Sequence, residues 1–139
     1  MSQRARLARR LAFGEADPAG TIYAPRAIDF GIQAVEQAWR EAGLPPFRTL
    51  IAERRLATPW VKTEASFARP LFAGDAFTLE LWLAKLGASS MNWVGEARGE
   101  SGEVLFALDL VAVAIDLETR RAVDVPPDIR AALTRFLAG

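Results

Sequence analysis

Apolar positions recur at two different periods along this chain. In the first third, Ile28, Ile32, Val35 and Trp39 fall at helical spacing, while Arg26, Asp29, Gln33, Glu36, Gln37 and Arg40 fill the other side. Pro25 suits the first helical turn, where its missing N–H would be unpaired anyway. Gly43, followed by Pro45 and Pro46, stops the helix. After a short connecting segment over residues 47–55 the period drops to two. Within residues 58–67, Val61, Thr63, Ala65 and Phe67 share one face, and Trp60, Lys62, Glu64 and Ser66 the other. Phe77, Leu79, Leu81 and Leu83 alternate with Thr78, Glu80 and Trp82, which predicts a half-buried strand. Residues 91–98 form a further strand. Residues 104–115 are apolar on both parities and predict a central strand covered on both faces. Turn signals separate these runs at Pro70 and Gly74-Asp75, at residues 87–90 and at residues 99–102. Ahead of the helix, residues 4–13 end in Leu11-Ala12-Phe13 and read as a first strand. At the far end Pro126-Pro127-Asp128 opens a short helix with Ile129, Leu133 and Phe136 on one side.

The predicted order is strand, long helix, four strands joined by short turns, and a last helix. Such short linkers require antiparallel pairing, because parallel crossovers need a dozen or more residues. A helix packed on a curved antiparallel sheet is an α+β layer arrangement. One helix cannot cover both faces of a five-stranded sheet. With Trp60 and Trp82 expected to face outward, a second subunit is predicted to cover the remainder. The 139 residues suffice for one domain, 1–139, with a sizeable core.

Composition narrows the chemistry. The chain is 51% hydrophobic and 24% charged, with 17 basic and 17 acidic residues, so no net field draws it to nucleic acid or to a membrane surface. Arg4, Arg6, Arg9 and Arg10 form a local basic cluster, read as solvated charges on an edge strand. There is no cysteine and no histidine. That removes disulfides, thiol chemistry, and serine–histidine or cysteine–histidine relays, and it argues against a zinc site, since carboxylates alone suit harder ions. No metal or cofactor is expected. Without a signal-peptide pattern or a membrane-spanning run, a cytoplasmic location is expected.

A carboxylate on a tight turn ahead of a helix N-terminus remains available. Asp17 lies in Phe13-Gly14-Glu15-Ala16-Asp17-Pro18-Ala19-Gly20, just before the helix pattern. Read alone, an Asp before Pro is a turn former whose side chain bonds nearby N–H groups. Paired with a helix N-terminus it also offers a nucleophile or base beside a donor for developing negative charge.

That stretch, together with Gly43-Leu44-Pro45-Pro46-Phe47-Arg48, Glu53-Arg54, Thr58-Pro59, Ala65-Ser66-Phe67 and Ala122-Val123-Asp124-Val125-Pro126, resembles the hot-dog-fold acyl-CoA thioesterases, and within them the 4-hydroxybenzoyl-CoA thioesterase group. The stretches occur in order across nearly the whole chain. The resemblance implies a long central helix wrapped by a curved antiparallel sheet of about five strands. It also implies active sites at the interface of a homodimer at least, usually joined into a homotetramer, and an acyl-CoA substrate. By the same resemblance Asp17 matches the catalytic carboxylate, and the backbone N–H of Ala24 matches the donor to the thioester carbonyl. Tyr23 would line the acyl pocket, and Thr58 and Arg121 match positions near the CoA nucleotide. At the helix position where the group carries a carboxylate this chain has Ile32, which argues for a more apolar acyl group. The turn over residues 85–90, which in the family supplies several cations to CoA phosphates, has only Lys85. Ser89 and Ser90 are turn residues first and phosphate or pantetheine contacts second.

A thioester has a good leaving group, so hydrolysis needs attack at the carbonyl and stabilisation of its oxygen rather than a general acid. Asp17 either attacks directly, giving a mixed anhydride that water opens, or deprotonates the attacking water. Other acids read more plainly. Glu15 is a solvated strand-end charge. Asp109, inside an apolar run, is expected to be a buried carboxylate in a structural ion pair or a subunit contact with an arginine. Glu36 is expected on the helix face away from Ile32 and Val35 as an exposed charge, the alternative being a carboxylate that reaches a site across a dimer. Trp39 and Trp93 are expected in the core or an interface. The competing reading is a non-catalytic acyl-CoA-binding module of the same fold.

Overall fold

The computed structural model describes residues 2–138. Strand β1 (Ala5–Arg10) leads through a 3-10 turn (Phe13–Glu15) to helix α1 (Pro25–Glu41), and helix α2 (Phe47–Arg54) follows. Then come β2 (Leu56–Ala57), β3 (Trp60–Phe67), β4 (Ala76–Leu86), β5 (Ser90–Gly99), β6 (Val104–Val113) and β7 (Ile115–Asp116). Helix α3 (Pro127–Leu133) and a 3-10 turn (Thr134–Phe136) complete the order.

Five strands make one antiparallel sheet in the order β1-β4-β5-β6-β3, and β2 pairs with β7 beside it. The short turns between β4, β5 and β6 produce the central meander, and β1 and β3 add at its two edges. Phe77, Leu79, Leu81 and Leu83 of β4 are buried, as their alternation predicts, and they pack with α1 into one core. Ile129, Leu133 and Phe136 are buried as a group, with the Phe136 ring 5.5 Å from that of Trp93.

Several expectations are corrected. The middle strand is β5, not the run at residues 104–115, which splits into β6 and β7. In β6, Leu108, Leu110 and Ala112 are buried while Ala107, Asp109, Val111 and Val113 are half-buried, since among the described residues no second layer covers that face. Leu105 and Phe106 are buried in succession beside a register shift at Ala97/Arg98, as expected where a bulge turns consecutive side chains inward. β1 stops at Arg10. Leu11 is buried and its N–H donates to Asp75 O at 2.9 Å, while Phe13 is 90% exposed. The connecting segment at residues 47–55 is largely helical. Phe47 stacks on Trp39 at 4.8 Å and Leu50 is buried, so this short helix is held by packing, and Trp39 Nε1 donates to Pro45 O at 2.8 Å to close the α1–α2 turn.

α1 buries Ala27, Phe30, Gly31, Ala34, Val35, Ala38 and Trp39, so its core face is centred on small residues. Ile28 and Ile32, expected to point into the core, are half-buried on its flank. Gly31 is the reason the helix can sit so close. A Cβ there would lie 2.6 Å from Leu108 Cδ1 and 2.8 Å from Leu110 Cδ1. The flank left beside Ile32 becomes a cavity wall.

Candidate functional site

Asp17 sits at the tip of the loop between β1 and α1. The loop closes on itself: Ala16 bridges to Ile22, Asp17 N–H donates to Thr21 O at 2.7 Å, and Gly20 N–H donates to Asp17 O at 2.9 Å. Gly20 has φ +87°, which favours glycine there. The Asp17 carboxylate is held by the same turn. Oδ1 accepts from Ala19 N–H at 3.0 Å, Thr21 N–H at 3.2 Å and the Thr21 hydroxyl at 3.3 Å. Among the described residues Oδ2 meets only that hydroxyl, at 3.3 Å. The turn-forming role is therefore realised, and it leaves one oxygen lightly engaged. Glu15 braces the loop, accepting from Ala12 N–H at 2.8 Å through its side chain and from Tyr23 N–H at 2.9 Å through its carbonyl.

From Tyr23 the chain enters α1 at Ala24, the N-cap, with Pro25 next. Arg26 N–H donates to Tyr23 O and Ala27 N–H to Ala24 O. Among the described residues, the Ala24 N–H has no acceptor, and Ala24 is exposed. A free N–H on the first turn, aligned with the helix dipole, is a ready donor to an anionic oxygen. Beside it, Thr21, Ile22, Ala24, Phe67, Ala68, Arg69 and Pro70 line a groove of about 300 Å³. Tyr23 is 55% exposed, and exposed Phe13, Phe67 and Phe72 belong to the same loop, β3 and its following segment, with Phe72 bridging to Thr21.

Further along α1 lies a cavity of about 390 Å³. Ile32, Val35, Glu36 and Trp39 of α1 form one wall and Phe47, Leu50 and Ile51 of α2 another. Trp60 of β3, Met91 and Trp93 of β5 and Ala112 of β6 make the floor, with Thr58 and Arg120 contributed by the loops. Ile32 and Thr58, two predicted site residues, therefore meet in one largely apolar chamber. Trp60, expected to face outward, lines it as well, because β3 is an edge strand that curls past α1. The expected position of Glu36 is corrected: it shares the flank of Ile32 and Val35. Helical spacing puts residue 36 one turn beyond 32, so the four-residue interval was the signal to follow. α2 is fixed over the cavity by Arg54, whose guanidinium bonds Asp128 at 2.9 and 3.0 Å and holds that carboxyl below its usual value.

Ser89 lies in the β4–β5 turn and Ser90 opens β5, and neither lines the chamber of Ile32 and Thr58. Their carbonyls accept from Ala114 N–H and Gly87 N–H, both at 2.8 Å, and the guanidinium of Arg130 is occupied by the carbonyls of Gly87 and Ala88 at 2.6 and 3.1 Å. Arg121 is exposed on the loop that returns to β7, its carbonyl accepting from Asp116 N–H at 2.9 Å. Arg120, with φ +62°, is the arginine that reaches the cavity. Asp109 is not buried, and among the described residues its ion-pair partner is a lysine rather than an arginine. It is half-exposed on the outer sheet face, bonded by Lys62 at 2.9 Å and Asn92 at 2.7 Å, because the strand's other parity is the one that faces the core. Those bonds hold its carboxyl below the ordinary range. Arg6, Arg9 and Arg10 lie on edge strand β1 and Arg4 just before it, with Arg6 on Glu80 at 2.8 Å and Arg4 over the Trp82 ring at 4.0 Å.

Among the described residues, no group of three or more carboxylates is placed to hold a metal ion, and no helix is long and apolar enough to cross a membrane. A sequence model of the thioesterase-like superfamily matches residues 11–133. The 4-hydroxybenzoyl-CoA thioesterase of Pseudomonas sp. (strain CBS-3) is 28% identical over 135 residues, spanning 92% of this chain and 96% of that protein. A 1,4-dihydroxy-2-naphthoyl-CoA hydrolase of Prochlorococcus marinus (strain MIT 9303) is 29% identical over 129 residues, spanning 88% and 85%. A solved 1,4-dihydroxy-2-naphthoyl-CoA thioesterase from Synechocystis superposes with a TM-score of 0.88 at 21% identity, over 95% of this chain and 96% of that one, a likeness of fold.

Proposed function

The chain belongs to the thioesterase-like superfamily and is a thioester hydrolase of the hot-dog fold, and on that premise we propose that it cleaves acyl-CoA thioesters to the free acid and CoA. Asp17 is the reacting carboxylate and the Ala24 N–H the donor to the thioester carbonyl oxygen. The observation that carries this reading is the unpaired, exposed N–H of Ala24 on the same loop as a carboxylate with one lightly engaged oxygen.

With three of its four hydrogen bonds on Oδ1, Asp17 keeps a fixed orientation while Oδ2 is available. Oδ2 attacks the carbonyl carbon, or removes a proton from a water that does so. The carbonyl oxygen becomes negative and is stabilised by the Ala24 N–H and the α1 dipole, an effect of about 3 kcal/mol for one well-placed donor. The C–S bond breaks and CoA leaves as a thiolate, whose conjugate acid ionises near a pKa of about 8.5, so no general acid is needed. In the direct route water then opens the mixed anhydride and regenerates Asp17. The acyl group runs along α1 toward the chamber at Ile32, and Tyr23 shields its first part. Ser89, Ser90 and Arg121 are assigned to the CoA portion.

A homodimer completes the site. β3 has no buried residue, its outer edge is unpaired, and Val61 and Phe67 are 62% and 45% exposed, an edge suited to a second copy of this chain. Asp17→Asn tests the reaction assignment. Asn keeps an oxygen for the Ala19 and Thr21 donors, so the melting temperature should hold, while thiol release from acyl-CoA should fall by about 10²- to 10⁴-fold. Undiminished turnover would refute the assignment.

A further inference from the structure

We propose that Glu36 selects acyl groups that carry a hydroxyl at their far end, an inference that rests on the acyl-CoA reading above. The chamber it lines is walled by Ile32, Val35, Leu50, Leu56, Met91 and three tryptophans, Trp39, Trp60 and Trp93. Glu36 is the only acidic side chain in that lining. It is half-buried, and among the described residues no hydrogen-bond or ion-pair partner is bound to it. Arg120, the only basic residue in the lining, is exposed and is not paired with it. Closing an apolar acyl group over a carboxylate costs free energy unless the occupant returns a hydrogen bond. An acyl chain ending in a hydroxyl returns one; a plain alkyl or phenyl end leaves the carboxylate desolvated and unpaired.

Helix geometry sets where that hydroxyl must be. Glu36 is twelve residues beyond Ala24, about 18 Å along α1 at 1.5 Å per residue. Allowing about 3 Å for the hydrogen bond at each end, and the lean of helix side chains toward the N-terminus, leaves roughly 10 Å between the carbonyl carbon and the hydroxyl oxygen. A single hydroxylated ring is too short. A medium-length chain with a terminal hydroxyl fits, and the apolar walls accept its methylene body.

The test compares 8-hydroxyoctanoyl-CoA with octanoyl-CoA, using benzoyl-CoA as a third substrate, in the unmodified protein and in Glu36→Leu and Glu36→Gln. The expected result is a kcat/KM ratio favouring the hydroxylated chain by about tenfold or more, carried mainly by KM. The ratio should fall to parity or below in Glu36→Leu and to an intermediate value in Glu36→Gln, which retains an acceptor oxygen. A change of folding alone would lower both rates without moving the ratio. Turnover of both octanoyl substrates with no preference, or a preference that survives both substitutions, overturns the assignment of Glu36 and leaves the thioesterase reading standing. Absence of thiol release from all three acyl-CoAs overturns the acyl-CoA reading, and this inference with it.

Discussion

The first turn of α1 and its middle turns lie on one helix yet face opposite kinds of surroundings. At the first turn, Ala24 is exposed, its N–H is unpaired, and the neighbouring loop holds Asp17 through four hydrogen bonds, all donated from Ala19 and Thr21. Two turns on, Ile32, Val35 and Trp39 face an apolar chamber of about 390 Å³ with a single carboxylate, Glu36, in its wall. One end offers polar groups in fixed positions and little shape; the other offers shape and few polar groups. The difference teaches how labour divides along a helix. Under the proposed function the polar end is where bonds break and charge develops, and the apolar stretch is where the acyl group is chosen by area and fit.

The comparison can be broken from either end. Ala24→Pro removes the proposed donor, an N–H that makes no hydrogen bond among the described residues, at a φ of −45° about 20° from proline's usual value. Thiol release should fall by about 10²- to 10³-fold with KM little changed, measured by steady-state kinetics. Val61→Lys places a charge on the exposed β3 edge. Light scattering should show the proposed homodimer dissociating to monomer with activity lost alongside, whereas a charge change at Arg6, on the β1 edge, should do neither. At the apolar end, Ile32 gives a ring hydroxyl no partner, so kcat/KM for 4-hydroxybenzoyl-CoA and benzoyl-CoA should agree within about threefold, the effect of a fraction of one hydrogen bond. A strong preference for the hydroxylated ring would mean that the chamber is more polar than its lining. The smallest effect is expected on the outer sheet face, remote from both ends. Hydrogen bonds from Lys62 and Asn92 hold the Asp109 carboxyl below its ordinary value of 3.8. Its stabilising contribution is therefore present above that pH and lost as the pH falls through the lowered folded value. Lys62 is raised above 10.5 by the same pair, and its share is lost as the pH rises past that range. Asp109→Asn should lower the melting temperature slightly at neutral pH, with the difference from the parent closing in acid.

The polar end was largely legible in the sequence because its parts are contiguous. Asp17-Pro18, Gly20 and Pro25 announce a turn and a helix start within one short stretch. The alternation in β4 and the terminal Ile129, Leu133 and Phe136 were equally plain, since each reports burial against a single layer. The apolar end was not. Its walls come from α1, α2, three strands and a loop, and no local period encodes that convergence. The helix face was misjudged because Ala27, Gly31, Ala34 and Ala38 carry too little apolar bulk to mark a stripe, yet their smallness lets α1 approach β6 and turns Ile32 and Glu36 toward the chamber. The doubly apolar run at residues 104–115 suggested a centre strand, but apolar residues on an outer face signal a missing layer as readily as a covered one. Asp109 escaped for the same reason: its parity faces outward, where a lysine is enough.

The most direct measurement is thiol release by the unmodified protein across a panel of acyl-CoAs, with binding to each followed by calorimetry on the same samples. The account predicts multiple turnovers with at least one acyl-CoA, and binding without release once Asp17 is replaced by Asn. Tight binding of acyl-CoA by the unmodified protein with no thiol released would contradict it, and would make the fold a carrier of acyl-CoA rather than its hydrolase.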